Sequence, residues 1–207
     1  MKKLDDLIDV FAKLPGIGRK SAARIAFDVL DRSEADVDRM LEIIKDSHTN
    51  IKHCKICGNL SENDICEICT SKKRDKEVIC VVEGVRDVIA FEKSETYNGL
   101  YHVLGGKIDP LNGVTIEDLN LRKLMNRLDG SVKEVILALN PDLEGETTSL
   151  YLTKFLKEKN VKISNNSVSI KKFSIKFQKI FVCRQNCRIN SSIFNMYRTT
   201  CLNSNIL

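Results

Sequence analysis

The chain has 207 residues, of which 43% are hydrophobic and 29% are charged, so it is long enough to bury a core as one domain or as a few small modules. No stretch approaches the roughly 18 consecutive apolar residues of a membrane-spanning helix. The sequence turns acidic at Asp5-Asp6, where a secretory signal would become apolar. We therefore expect a cytosolic protein without a membrane segment, whose eight cysteines stay reduced and available for metal binding or chemistry.

The net charge of +5 is located at one end of the chain. Residues 164–207 contain seven Lys or Arg and no Asp or Glu, whereas residues 1–163 contain 26 basic and 28 acidic residues, a charge of −2. A slightly acidic body has no overall attraction for nucleic acid. Any DNA binding by residues 1–163 must therefore come from local geometry.

The first part of the chain is predicted to be helical. Apolar residues from Leu4 to Leu14 recur at three- and four-residue spacing, which predicts an amphipathic helix that ends before Pro15. Gly16-Ile17-Gly18 predicts a tight turn, and a second apolar stripe follows over residues 22–30. A capping box of Ser33 with Asp36 begins a third helix, whose apolar face is expected at Val37, Met40, Leu41 and Ile44.

Four cysteines occur as two close pairs, in the order Cys54-x2-Cys57-x8-Cys66-x2-Cys69. Two such pairs deliver four thiolates tetrahedrally to one Zn²⁺ at about 2.3 Å, in a segment too polar to form a core of its own. Four protein ligands leave no open position for water, so we expect one structural zinc ion per chain. A redox dithiol is the alternative, but it is typical of a helix start in a βαβ context, which this segment lacks.

The run from Leu14 to Arg24 resembles the helix-hairpin-helix DNA-binding motif, with its Gly-x-Gly-x-x-x-Ala core. Glycines let a phosphate approach the backbone, and free amides at the start of the second helix favour an anion. Lys20 and Arg24 lie one helical turn apart, at a spacing that lets each neutralise a phosphate. The motif predicts sequence-independent DNA binding, and the alternative is a helical hairpin that only packs or dimerises. The predicted DNA-binding residues are Gly16, Gly18, Arg19, Lys20 and Arg24.

Strand and helix patterns alternate from Glu77 onward. Continuous apolar runs, typical of strands buried on both faces, occupy residues 78–82, 100–104 and 135–139, and a shorter run occupies 161–163. Helical patterns lie between them at residues 85–91, 116–128 and 144–157. This alternation favours a three-layer α/β domain with a mainly parallel sheet.

Acidic residues follow two of the predicted strands: Glu83 follows the first, and Asp142, Glu144 and Glu146 follow a later one. This arrangement resembles the Toprim domain of topoisomerases, primases and old-family nucleases, which implies acids that hold Mg²⁺ at the carboxyl edge of the sheet. The active pattern has Asp-x-Asp, whereas this chain has Asn140 at the first of those positions. An amide is a poorer magnesium ligand than a carboxylate and cannot act as a base. We interpret the four acids as a partner-binding or weak ion-binding surface, with solvated turn residues as the alternative.

The order of these motifs is similar to that of one family, the bacterial recombination mediator RecR. Further runs typical of the family occupy residues 87–90, 99–106, 109–114 and 144–148. The predicted fold class is therefore α+β with several modules. These are a helix-hairpin-helix module over residues 1–52, a C4-type zinc finger over 53–73 and a Toprim domain over 77–163.

This resemblance implies a non-catalytic protein that binds DNA and forms a ring-shaped homo-oligomer. It also implies two protein partners, RecO and RecF, with which the family loads recombinase onto single-stranded gaps. By the same resemblance, Lys20 and Arg24 contact DNA, while Glu83, Glu144 and Glu146 face RecO.

Two other functions remain open at this point. The first is a Mg²⁺-dependent nuclease or topoisomerase-like enzyme that uses the Toprim acids, although Asn140 and the lack of a tyrosine in a basic, pocket-like context count against it. The second is a zinc-dependent interaction module without DNA contact, which undetectable DNA binding at low salt would favour.

The last part of the chain departs from the family pattern after residue 164. Residues encoded by codons that begin with G (Ala, Gly, Asp, Glu and Val) number 58 in residues 1–163, but beyond them only Val168 and Val182 qualify. We predict that residues 164–207 result from a reading-frame change near codon 164, which makes their basic charge incidental and removes the family's subunit-joining end. The nucleotide sequence tests this prediction. It is wrong if no one-base insertion or deletion near codon 164 restores a glycine-rich, acid-containing ending.

Overall fold

The computed structural model describes residues 1–165, so almost all of the predicted frame-shifted tail lies outside the described residues. The chain divides into two compact units, Met1–Ile51 and the part from Lys52 onward. Within residues 1–165, no helix has both the length and the apolar content needed to cross a membrane.

The first unit consists of three helices: α1 (Lys2–Ala12), α2 (Arg19–Asp31) and α3 (Glu34–Asn50). Helices α1 and α2 pack together through a small cluster around Ile8, Ala22 and Ala26. Alanines at the contact let the two helices approach closely. The contact lies on the apolar stripes that the sequence predicted for these helices. Helix α3 begins at the predicted cap, where the Ser33 hydroxyl accepts a hydrogen bond from the Asp36 amide at 3.2 Å.

The apolar face of α3 lies at the surface of this unit. None of the residues of α3 is buried, and Leu41, Ile43 and Ile44 are each more than half exposed. Phe27 and Leu30 of α2 are exposed to a similar degree. The periodicity thus predicted the helix correctly, but it does not say whether a stripe is covered within its own unit.

The second unit begins with short elements around the cysteines: β1 (Lys52–His53) pairs antiparallel with β2 (Leu60–Ser61), and α4 (Glu67–Thr70) follows. Four longer strands then form one sheet: β3 (Asp75–Val82), β4 (Gly99–Val103), β5 (Glu134–Ala138) and β6 (Lys162–Asn165). Every neighbouring pair is parallel, in the order β4-β3-β5-β6. The connecting helices are α5 (Val85–Ser94), α6 (Leu121–Arg127) and α7 (Leu143–Lys157). The predicted parallel sheet is confirmed.

Both faces of this sheet are buried. Ile79, Val81 and Leu137 belong to the cluster on one face, while Cys80 and Ile136 belong to the cluster on the other. Successive side chains of a strand point to opposite faces, so burial on both sides requires an uninterrupted apolar run. This explains the sequence pattern, and it confirms Cys80 as a core residue with 2% of its surface exposed.

The predicted helix over residues 116–128 is interrupted, because α6 begins only at Leu121. Asn120 fixes the break through two bonds to the end of β4. Its backbone N–H donates to the Leu104 carbonyl at 2.9 Å, and its side-chain amide donates to the Val103 carbonyl at 3.2 Å. These tertiary hydrogen bonds satisfy the carbonyl groups of Val103 and Leu104, which a continuous helix would leave without these partners. Helical periodicity in the sequence cannot reveal such contacts.

His102, in β4, is fully buried. Its Nε2–H donates to the Asn120 carbonyl at 2.9 Å, and its Nδ1 accepts from the Arg127 guanidinium at 3.3 Å. Burial, together with the Arg127 charge, lowers the pKa of His102 to about 4. The ring is therefore neutral in the folded protein at neutral pH.

The pKa of His102 predicts a pH dependence of stability. Because folding lowers this pKa from 6.5 to about 4, the neutral ring contributes stability above pH 6.5. That contribution is lost as the pH falls below 6.5, because His102 is then protonated in the unfolded chain but stays neutral in the folded chain. Between pH 7.5 and 5.5, the free energy of unfolding should fall by about 1 kcal/mol more in the wild type than in His102→Gln. Urea unfolding at both pH values measures this difference, and equal losses would contradict the prediction.

Candidate metal centre and nucleic-acid interface

The four paired cysteines meet in one cluster. Their Sγ atoms all lie within 4.8 Å of one another, and the Sγ atoms of Cys57 and Cys66 are 3.5 Å apart. A tetrahedral zinc ion with Zn–S bonds of about 2.3 Å places its sulfur ligands roughly 3.8 Å apart, so the set fits one zinc ion. Among residues 1–165, no other group of three or more His, Cys, Asp or Glu side chains converges in this way.

Local backbone geometry positions the thiols. The Cys66 amide donates to Cys54 Sγ at 3.3 Å, a bond that stabilises a thiolate ligand. Gly58 follows Cys57 with a φ of +76°, a left-handed conformation that favours glycine. The Cys57 carbonyl accepts from the Val103 amide at 2.8 Å, which joins the cysteine segment to the end of β4.

The cysteine thiols form hydrogen bonds with one another, and these bonds shift the pKa values of the thiols. The bond with Cys66 raises the pKa of the Cys57 thiol to about 12, and the same bond lowers the pKa of Cys66 to about 2. Hydrogen bonds with both neighbours, and burial, raise the pKa of Cys69. Zinc binds thiolates, so metal binding releases the protons that the thiols still carry.

The turn between α1 and α2 is open to solvent. Gly16 has a φ of +81°, and Gly18 is the N-cap of α2. Among residues 1–165 no side chain caps α2, and its first turn contains no acid, so the amides at its start remain available to an anion. A Cβ added at either glycine would meet no atom of the described part of the chain within 4 Å. Open space therefore lies beside this turn.

The basic residues of α2 fall into two groups. Lys20 and Arg24 are exposed, and within residues 1–165 neither forms an ion pair. Arg19 differs, because its Nη1 lies 2.8 Å from Asp9 Oδ1 and pairs α2 with α1. Asp9 lies on the exposed side of α1, and no pattern in the sequence identified it as the partner of Arg19.

The acids of the Toprim-like region lie at the carboxyl edge of the sheet. Val82 pairs with Ala138 where β3 and β5 end, which brings Glu83 beside Asn140. The backbone and side-chain amides of Asn140 donate to the two carboxylate oxygens of Glu83, at 2.5 and 2.6 Å. Burial raises the pKa of Glu83, while the Asn140 amide and the charge of Lys107 oppose that rise.

Asp142 is the N-cap of α7 and accepts a hydrogen bond from the Gly145 amide at 2.9 Å. Its other oxygen forms an ion pair with Lys107. Glu144 is half-buried and Glu146 is exposed, both in the first turn of α7. Sequence reasoning missed Lys107, because a lysine in a loop 35 residues from its partner has no periodicity that would mark it. We use the term acid edge for the set Glu83, Asn140, Asp142, Glu144 and Glu146.

Comparison with known proteins covers all three parts of the chain. The helix-hairpin-helix model of RecR matches residues 4–48, the four-cysteine zinc-finger model of RecR matches residues 51–71, and the Toprim model matches residues 77–166. The recombination protein RecR of Tropheryma whipplei is 48% identical over 162 residues, which are 78% of this chain and 82% of that relative. The chain belongs to the RecR family. RecR proteins of Chloroherpeton thalassium and Staphylococcus haemolyticus are each 49% identical, with the same coverage of both chains.

Membership of the RecR family confirms the resemblance predicted from the motif order, and with it the α+β fold class. The cysteine cluster coincides with the family's four-cysteine zinc finger, so the predicted zinc cofactor is confirmed. The chain is thus related to recombination proteins and carries a helix-hairpin-helix, a zinc finger and a Toprim domain.

Proposed function

We propose that this chain is a recombination mediator that binds the phosphate backbone of DNA and catalyses no reaction. The observation that carries the proposal is the open start of α2. Its uncapped amides adjoin two glycines with free space beside them, and Lys20 and Arg24 are exposed on the following turns. This combination suits phosphate groups and offers nothing that distinguishes one base from another. Arg19 contributes less, because its exposed ion pair with Asp9 partly offsets its charge.

The acid edge is assigned to a protein partner. Glu144 and Glu146 lie in the first turn of α7, where they present negative charge to a basic surface. By family membership we assign that surface to RecO, and we place RecF in the same pathway of recombinase loading on single-stranded gaps. The family's homo-oligomer is supported by the exposed apolar residues of the first unit, namely Phe27, Leu30, Leu41, Ile43 and Ile44.

Gel-shift titration combined with sizing in solution tests the proposal. The expected result is binding of two unrelated DNA sequences with the same affinity at low salt. Sizing shows whether the exposed apolar residues of the first unit join chains without the family's subunit-joining end. Undetectable binding at low salt would favour the zinc-dependent interaction module instead.

The acid edge also predicts the absence of catalysis. Asn140 donates to Glu83 from its backbone amide and from its side-chain amide, and the Lys107 ammonium group pairs with Asp142. The carboxylates that a Toprim enzyme would use are therefore engaged by donors of the chain itself. We expect no Mg²⁺-dependent cleavage, relaxation or primer synthesis when the protein is incubated with supercoiled and single-stranded DNA. If the wild type cleaved DNA and Asp142→Ala abolished the activity, the mediator proposal would be wrong.

A further inference from the structure

Lys107 lies against the acid edge, and its role in the proposed partner-binding surface has not yet been assigned. Its side chain is 21% exposed, and it pairs with the Asp142 carboxylate, which is 34% exposed. The amide of the next residue, Ile108, donates to the Thr148 hydroxyl at 2.9 Å, and Thr148 is fully buried in α7. Two adjacent residues after β4 thus attach this loop to the first two turns of α7.

The ionised carboxylates at this edge repel one another, so a nearby positive charge stabilises them. Glu83 is half-buried and experiences repulsion from Asp87 and Asp142. The amides of Asn140 and Gly145 supply only partial charges to Glu83 and Asp142. Like charges brought together out of water disfavour ionisation unless a cation lies between them. The Lys107 ammonium group interacts favourably with both carboxylates, by an ion pair with Asp142 and at longer range with Glu83.

We propose that Lys107 is the resident cation of the acid edge. Its ammonium group holds Glu83 and Asp142 at neighbouring strand ends without a divalent ion, and it leaves Glu144 and Glu146 as the acids whose charge is available to a partner. Lys107 is therefore a positioning residue. This inference rests on the proposed partner-binding role of the acid edge. Its test, however, measures stability and cation binding and involves neither DNA nor RecO.

The test compares full-length, zinc-loaded wild type with Lys107→Met and with the charge-conserving control Lys107→Arg. Thermal unfolding is measured in MnCl₂ and in KCl of matched ionic strength, and bound Mn²⁺ is measured by electron paramagnetic resonance. Wild type and Lys107→Arg should melt at the same temperature in both salts and bind no Mn²⁺. Lys107→Met should melt several degrees lower in KCl, recover in MnCl₂, and bind Mn²⁺ in a manner that a second change, Asp142→Asn, abolishes.

A charge-neutralising variant keeps the test decisive if Lys107→Met folds poorly. Lys107→Met combined with Asp142→Asn removes one negative charge together with the cation and keeps the Oδ1 acceptor of the Gly145 amide, so it should regain most of the lost melting temperature. The proposal is overturned if Lys107→Met behaves like the wild type in both salts, if the double variant regains nothing, or if the wild type itself binds Mn²⁺ through Asp142. Unchanged DNA binding by Lys107→Met is expected, so a failure here would leave the DNA-binding proposal standing.

Discussion

Removal of zinc is expected to unfold the cysteine segment, residues 51–73. The buried apolar side chains of this segment are Cys54, Cys57 and Cys66, with Ile68 and Cys69 partly buried beside them. Its other large apolar side chains, Ile51, Ile56, Leu60 and Ile65, are each at least 36% exposed. A segment that buries so little apolar surface cannot offset the entropy of ordering its backbone, so metal binding must supply the free energy of folding.

The change should extend beyond the cysteine segment. Ile68 also packs against the sheet cluster that contains Cys80, and the Cys57 carbonyl accepts from the Val103 amide. We therefore expect chelation to abolish hydrogen-exchange protection throughout residues 51–73 and to lower it at the end of β4. The helices of the first unit should keep their protection.

Two single thiol substitutions provide a matched comparison. Cys54→Ser removes a ligand and should reduce bound zinc from one ion per chain to a small fraction. Cys80→Ser removes a buried thiol of the sheet and should leave one zinc ion per chain. Elemental analysis of freshly purified, reduced protein measures both, and a wild-type protein without zinc would contradict the structural role given to the metal.

Lys20→Ala combined with Arg24→Ala is expected to weaken DNA binding equally for all sequences. Each residue offers one charge to a phosphate, and the release of counterions makes binding salt-dependent. Losing two phosphate contacts should reduce the slope of log affinity against log salt concentration by about 1.5. Fluorescence anisotropy titrations at several salt concentrations, on two unrelated oligonucleotides, measure this slope.

The matched control removes the same two charges elsewhere in the first unit. Arg39 and Lys45 are exposed on α3, and within residues 1–165 neither forms an ion pair. Arg39→Ala combined with Lys45→Ala therefore lowers the net charge equally, without touching the turn at Gly16 and Gly18. Its slope should stay close to that of the wild type. Equal losses in both double variants would indicate that overall charge, and not the helix hairpin, governs binding.

The sequence predicted those features that arise from local patterns. Cysteine spacing identified the metal site, because four ligands in two close pairs need only short turns to converge on one ion. Apolar runs identified the strands of the sheet, because burial on both faces removes the polar positions from a strand. The Gly16 to Gly18 turn was likewise readable from glycine spacing alone.

Features that depend on contacts between distant residues could not be predicted. The break before α6 depends on bonds from Asn120 to the end of β4, and the state of the acid edge depends on Lys107. Asn120 and Lys107 both lie in or next to loops, where no sequence periodicity indicates that a residue makes a tertiary contact. The pairing of Arg19 with Asp9 is of the same kind, and it changes which basic residues of α2 remain available to DNA.

The most direct test of the central claim, that this chain holds the DNA backbone at its helix hairpin, is a titration of ¹⁵N-labelled protein with a short single-stranded oligonucleotide. Backbone amide signals report on each residue separately. We predict that the amides of Gly16, Gly18, Arg19 and Lys20 shift progressively, and to the same extent with an unrelated oligonucleotide. If those signals stayed unchanged while amides elsewhere in the chain shifted, DNA would bind at another site and the helix hairpin would not be the DNA-binding element.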